Sequence, residues 1–276
     1  MNRPLSMIVC LKFTPEPNRL GNDPRKLPQA AMRISTLDEN AIEAAVSLRE
    51  RCGGSVTGLS VSRAAPPRDL VLRALAGGLD RFVLVIAPDV REDDPHATAE
   101  AIAAAMRALA SGSESVAFDL MVCGDVSVDA YNGQVGPRLA EIFRLPSLTA
   151  VTRMERVSAR SGMRDHGQET IVEIEDEIEV DQVLDEATFT VRAPMPAVVS
   201  VSLEANQPRL PTVLQILGSG RKTVIELRSD VRSRDTVMGH REVSARVRGH
   251  RRVVLQGQNA DEMARAVLTV VAPART

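Results

Sequence analysis

The sequence predicts an α/β fold: a doubly wound, mostly parallel sheet with added antiparallel strands and a C-terminal arm. Three observations lead there. Continuous apolar runs of strand length alternate with helical patterns over the first half of the chain, the arrangement of a parallel sheet joined by crossovers. Glycine and proline pairs mark the junctions. Beyond Pro146 the pattern changes to apolar–polar alternation, the period of antiparallel strands with one wet face.

Residues 7–11 are the first buried strand. The stretch 12–37 is rich in Pro, Asn and Gly and lacks periodicity, so a long loop with a functional or partner-covering role is expected. Residues 38–52 form an amphipathic helix, with Ala41, Ala45, Leu48 and Cys52 on one face and Gly53-Gly54 as its stop. A second strand spans 56–61. Pro66-Pro67 opens a helix to Leu75, because proline's missing donor costs nothing in a first turn. Gly77-Gly78 closes that helix, and 82–86 is the third strand. Asp93-Asp94-Pro95 caps an alanine-rich helix running to about Ala110. The fourth strand is 118–122, and a helical pattern follows at 138–143.

Antiparallel strands are expected at 148–157, 170–180 and 186–191, then a buried strand at 197–201. The acidic span 165–186 contains neither Lys nor Arg. Its Glu173, Glu175, Glu177 and Glu179 line one strand face, the pattern of a solvated hairpin rather than a metal site. From 218 to 252 basic residues outnumber acidic ones and periodicity is poor, which points to an extended arm. A short strand at 252–255 and a final helix at 261–271, capped by Asn259 or Asp261, end the chain. The expected organisation is an α/β domain over 1–217, with an antiparallel insertion at about 148–192, and an arm over 218–276.

At 276 residues the chain is long enough to bury a substantial core. Hydrophobic content of 44% and charged content of 25% are those of a soluble globular protein. A formal net charge of −2 gives no drive towards nucleic acid or an anionic membrane. Five Phe, one Tyr and no Trp leave little aromatic surface on which to stack single-stranded bases. Cys10, Cys52 and Cys123 are few and far apart, so neither a disulfide framework nor a zinc or iron–sulfur site is indicated. Cys10 and Cys123 both end apolar runs and suit small buried hydrophobes. The expected compartment is reducing and cytoplasmic. The apolar run at 5–11 is too short for a signal sequence or a membrane span.

No catalytic constellation stands out. His96, His166, His240 and His250 lack a Cys, Ser or carboxylate at the spacing of a triad or metal motif, and all four suit exposed positions. Neither a Walker lysine motif nor GxGxxG follows any strand. The weight falls instead on the stretch 123–137, Cys-Gly-Asp-Val-Ser-Val-Asp-Ala-Tyr-Asn-Gly-Gln-Val-Gly-Pro, between the fourth strand and the next helix. In an open sheet such a junction holds a phosphate on backbone N–H groups and the helix dipole, or it is turn chemistry alone. Gly124 at the strand's carboxyl end lets backbone approach a ligand, and Gly133 and Gly136 lie where helix donors are unpaired. Ser127, Asn132 and Gln134 add side-chain hydrogen bonds, while Asp125 and Asp129 suit adenine, ribose or a helix cap rather than phosphate. A second stretch, 206–217, carries Val213, Leu214, Ile216 and Leu217 between Pro208, Pro211 and Gly218. It is either a short helix covering the core or an exposed apolar anchor.

Two segments give the chain a resemblance to a known family. Gly124-Asp-Val-Ser-Val-Asp-Ala-Tyr-Asn-Gly-Gln-Val-Gly136 is similar to the nucleotide loop of the β subunits of electron-transfer flavoproteins. Leu203-Glu-Ala-Asn-Gln-Pro-Arg-Leu-Pro-Thr212 resembles that family's N-x-P-R-x-x-T segment. Further similarity lies at 38–45, 72–81 and 256–263. The resemblance implies a Rossmann-like, adenine-nucleotide-binding fold in a heterodimer. An α subunit holds most of the FAD site, and the β subunit holds a structural AMP and performs no acid–base catalysis. Electrons pass from flavoprotein dehydrogenases to the flavin and on to a membrane quinone reductase. By position, the resemblance places the AMP site at Cys10, at Ser35, Thr36, Leu37 and Asp38, at Ser62, and along 124–135. This last run comprises Gly124, Asp125, Val126, Ser127, Val128, Asp129, Asn132, Gly133, Gln134 and Val135, with Ala130 and Tyr131 between. It places dehydrogenase docking at 209–218, through Arg209, Thr212, Val213, Leu214, Ile216 and Leu217, and has the arm and final helix wrap the α subunit.

The chain departs from the family pattern in three places. Gly133-Gln-Val-Gly136 stands where many members have N-Q-T-G, which removes a hydroxyl. Gly218-Ser-Gly-Arg-Lys222 replaces a lysine-rich run. Val213 replaces an anchoring leucine, a loss of about 0.8 kcal/mol of burial. A bifurcating member with FAD in place of AMP, and a stand-alone stress-type nucleotide-binding domain, are the alternatives.

Overall fold

Strand β1 (Leu5–Cys10) lies next to the central strand of the sheet and is buried along nearly all its length. The computed structural model describes residues 3–16, 32–111, 117–165, 168–185, 187–234 and 259–271. After β1 come a small antiparallel hairpin, β2 (Phe13–Pro15) with β3 (Met32–Ile34), and helix α1 (Thr36–Cys52). The described ends of the expected long loop are therefore paired backbone. Next follow β4 (Gly54–Ser62), α2 (Arg68–Ala76), β5 (Arg81–Ile86), α3 (Pro95–Ser111), β6 (Leu120–Gly124) and α4 (Val135–Phe143). Asp94 caps α3, its Oδ1 accepting from the N–H groups of His96 and Ala97 at 3.1 and 3.0 Å, as the acidic cluster before Pro95 predicts.

Beyond α4 the chain leaves a gap in the sheet and later returns to fill it. Strand β7 (Ser147–Asp165) pairs antiparallel with β8 (Gln168–Leu184), which pairs with β9 (Ala187–Pro194). Strand β10 (Ala197–Val201) then enters between β6 and β7, parallel to both. The first residues of β7 are thus in a parallel ladder, where only antiparallel pairing was expected. A 3-10 turn (Leu203–Ala205), α5 (Val213–Ser219) and β11 (Val224–Arg228) follow, and β11 pairs parallel with β5 at the far edge.

The strand order is β11-β5-β4-β1-β6-β10-β7-β8-β9. Residues 224–228, within the stretch read as the start of an arm, form a strand of this sheet. The physical reason lies in the flanks of β11. Lys222 reads as part of a basic arm, yet its Nζ donates to the carbonyls of Leu75 (2.8 Å) and Leu79 (2.6 Å), satisfying backbone acceptors in the last turn of α2 and just after it. The rest of the expected arm and the strand at 252–255 lie outside the described residues. The second unit contains α6 (Ala260–Val271), capped by Asn259, whose Oδ1 accepts from Glu262 N–H at 2.9 Å.

Alternation along β1 and β6 divides the core in two. Met7, Val9, Leu120 and Val122 face α1 and α2, while Ile8, Cys10, Met121 and Cys123 face α3 and α4. Winding therefore reverses between β1 and β6, and the sheet is doubly wound as the sequence predicts. The acidic strands are neutralised across the ladder. Arg153 pairs with Asp181 at 2.6 Å, and Glu179 accepts from Arg153 and Arg192 at 3.2 and 2.8 Å. Phe82, fully buried on β5, stacks against Phe13 at 6.3 Å and so fixes the hairpin to the sheet. Phe82→Ala is expected to cost about 3–5 kcal/mol of stability in a urea titration of the full chain.

Candidate functional site

The crevice at the carboxyl ends of β1 and β6 opens into a cavity of about 640 Å³. This is the position where open α/β sheets take their ligands. Four loops build its walls: the ends of β1 and β3, the stretch after β4, the stretch after β5, and the glycine-bearing loop between β6 and α4. Of the residues expected at the site, Cys10, Asp38, Ser62, Gly124, Asp125, Val126, Ser127, Asn132, Gly133, Gln134 and Val135 line the cavity. Ser35, Thr36, Leu37, Val128 and Asp129 are not on the lining. Ser35 is buried beneath the start of α1 with its hydroxyl lacking a hydrogen-bond partner, and Asp129 acts through Lys12.

Asp38 is the electrostatic centre of the site. Its Oδ2 accepts from Lys12 N–H at 2.7 Å, and its carboxyl also accepts from the backbone of Gly124. Burial pushes this carboxyl up to about 7 against those two hydrogen bonds and the Lys12 charge, and Asp129 reinforces the rise. Lys12 spans the mouth of the cavity. Its Nζ donates to Asp129 Oδ2 at 2.6 Å and to the Glu92 carbonyl at 2.9 Å, joining the loop after β6 to the loop after β5. Burial works against ionisation of Asp129, but the hydrogen bonds from Lys12 and Ser127 hold it below the usual carboxylate range.

The glycines carry a different burden from the one their sequence suggests. A Cβ on Gly124 would come 2.6 Å from Asp38 Oδ1 and 2.9 Å from the carbonyl carbon of Leu37. Gly124 is thus the contact that lets the first turn of α1 lie against the end of β6, and the close approach is protein on protein. A Cβ on Gly136 would come 2.5 Å from Ser200 Oγ, so that glycine lets α4 pack on β10. The start of α4 has backbone chemistry that suits an anion. No side chain caps it, and the amides of Val135 and Gly136 precede the first intrahelical bond, from Arg138 N–H to Gln134 O. Asn132 Oδ1 accepts from Gln134 N–H at 3.3 Å, while the Gln134 side chain accepts from Arg138 and is committed to the helix. Tyr131, beside this loop, is 75% exposed and holds a positive φ of 49°.

Several lining residues escaped sequence reasoning: Lys12, Arg63, Arg91 and Glu92 among the charged ones, with Phe13, Met32 and Val90 among the apolar. Lys12 had a usable signal, since it closely follows a central parallel strand. Of the histidines, His96 is half-buried and pairs with Glu100 at 3.2 Å; the other three lie outside the described residues.

The second stretch is resolved in favour of exposure. Leu210, Val213, Leu214, Ile216 and Leu217 are each more than half exposed, with Leu214 at 81%. Its base is fixed to α1. Asn206 and Asn40 exchange hydrogen bonds, the closest at 2.7 Å, and Arg209 grips Glu43 at 2.8 Å and Glu50 at 2.6 Å. Arg209 is therefore an anchor within the chain. Thr212 caps α5 through a reciprocal box with Gln215.

A doubly wound sheet with a crevice at its switch point, bounded by a strand–loop–helix, is a Rossmann-like α/β architecture. The model of the electron transfer flavoprotein domain matches residues 28–231, and the chain belongs to that family of electron-transfer proteins. Among the described residues, no helix is long and apolar enough to cross a membrane.

Asp38 also sets a pH dependence. Its folded value, about 7, stands above the roughly 3.9 of an unfolded aspartate. Between those values the unfolded chain gives up the proton and the folded chain keeps it, so this group's contribution to stability falls as pH rises through the window and levels off above it. Denaturant titrations are expected to show wild type losing stability relative to Asp38→Asn from about pH 4 to about pH 7, with a constant difference beyond.

Proposed function

We propose that this chain is the β subunit of a heterodimeric electron-transfer flavoprotein. Its cavity holds AMP as a structural nucleotide, and it helps an α subunit retain FAD. The flavin, when bound, supplies the one- and two-electron chemistry; the residues of this chain bind and position. The observation that carries the reading is the uncapped start of α4 at the switch-point cavity. The amides of Val135 and Gly136 suit a phosphate there, beside polar groups at Ser127 and Asn132 for the rest of an adenylate. Lys12 neutralises Asp129 at the rim, so a phosphate meets less repulsion than the count of acids suggests.

The exposed face of α5 supports the second half of the reading. Four large aliphatic side chains on a short, well-capped helix form an anchor for a flavoprotein dehydrogenase, from which electrons pass to the flavin and onward to a quinone reductase. The chain binds neither nucleic acid nor membrane directly in this scheme, and works in the cytoplasm.

Denaturing the purified complex and counting released nucleotides tests the assignment. One AMP and one FAD per complex is the expected result. Two FAD and no AMP would assign the cavity to a flavin and the complex to electron bifurcation, and a complex lacking any nucleotide beyond the α-subunit FAD would refute the site. Lys12→Met leaves Asp129 without its counter-charge at the rim, and a loss of at least about tenfold in AMP affinity is expected by equilibrium dialysis. Leu214→Asp is expected to slow reduction by the dehydrogenase about 30-fold at limiting concentration while leaving nucleotide content unchanged.

A further inference from the structure

Two cysteines meet on the floor of the cavity. Strands β1 and β6 run parallel with Cys10 opposite Cys123 in register, and both side chains project to the α3–α4 face. Both are free, both line the cavity, and both are almost fully enclosed by protein, at 6% and 5% exposure. The neighbouring Cys123 thiol, then burial, pushes the Cys10 thiol well up from its ordinary value. Cys123 Sγ lies beneath the first turn of α4, about where a side chain on Gly136 would touch it.

The strand geometry limits what this pair can do. Neighbouring strands lie about 4.8 Å apart. Register partners in a parallel pair send their Cα–Cβ bonds in nearly the same direction, so the Cβ atoms keep roughly that separation. A disulfide needs Cβ atoms about 3.5–4.5 Å apart, so direct S–S closure demands that the strands move together. One atom bonded to both sulfurs spans the gap with the sheet undisturbed.

We propose that Cys10 and Cys123 form a vicinal dithiol site for a thiophilic electrophile of the trivalent arsenical class. With an organoarsenic oxide, two As–S bonds form and the As–O double bond is lost. The two thiol protons leave with the oxide as water, and no atom changes oxidation state. The adduct occupies the cavity floor next to Gly124 and thereby competes with an adenylate. That competition rests on the nucleotide reading above, whereas the uptake itself does not.

Phenylarsine oxide added to the full chain in its purified complex tests the site, read by the intact mass of this chain and by peptide mapping. One phenylarsine per chain is expected, bridging the peptides that carry Cys10 and Cys123, removed by dimercaptopropanol and resistant to excess 2-mercaptoethanol. Cys52→Ser is expected to take up the same amount, and Cys10→Ala and Cys123→Ala none that survives the monothiol. Absence of a bridged adduct in the wild-type chain, or monothiol-resistant uptake by both alanine variants, would overturn the proposal. Because the wild-type mapping stands alone, a variant that misfolds does not decide the matter. Uptake that proceeds unslowed with stoichiometric AMP bound would leave the dithiol site standing and refute the placement of AMP.

Discussion

The contact between the end of β6 and the start of α1 governs the rest of the structure. Gly124 has no side chain, so the first turn of α1 lies directly against it, and Asp38 is buried where it receives N–H groups from both Lys12 and Gly124. That single carboxyl links the two central strands at the point where the winding of the sheet reverses. A larger residue at 124 would push α1 away from the sheet and open the cavity on the side where Asp38 now closes it.

Helix α1 carries this constraint outward. Asp38 is on its first turn, Asn40 and Glu43 on the next face, and Glu50 near its end. Through the last three it holds Asn206 and Arg209, and hence the root of the exposed helix α5. The Arg209 guanidinium bonds two carboxylates at once, a geometry lysine does not reproduce. One rigid element thus supports the cavity at one end and an apolar surface along its flank. Burial works against ionisation of Glu43, yet the hydrogen bonds from Arg209 and Ser47 hold it below the usual carboxylate range.

Much of this was legible in the sequence because it depends on periodicity. Buried parallel strands read as mainly apolar runs, and all four before residue 125 overlap the expected spans, β6 lying two residues further on than expected. Asp94 and Asn259 show that capping chemistry is equally local. Strand β11 was not legible, because an edge strand with one face exposed and basic flanks resembles a solvated tail. Nor was the position of β10, since only tertiary pairing reveals that the chain leaves a slot and comes back to it. At the site, the sequence reading singled out the loop after β6 and had no residue in the stretch after β5. Lys12 and Glu92 are 80 residues apart and meet only across the folded crevice. The packing roles of Gly124 and Gly136 were hidden for the same reason. Their partners, Asp38 and Ser200, are distant in sequence, and a glycine at a strand–helix junction does not announce whether its neighbour is ligand or protein.

Tyr131 gives the molecule an optical property of its own. It is the single tyrosine of a chain that has no tryptophan, and it projects into solvent from the loop that borders the cavity. Nearly all the near-ultraviolet emission of this chain therefore originates from one side chain on that loop. The protein also absorbs so weakly in this region that an adenine ring held in the cavity would dominate the near-ultraviolet absorption, making empty and loaded chains distinguishable by that absorption alone.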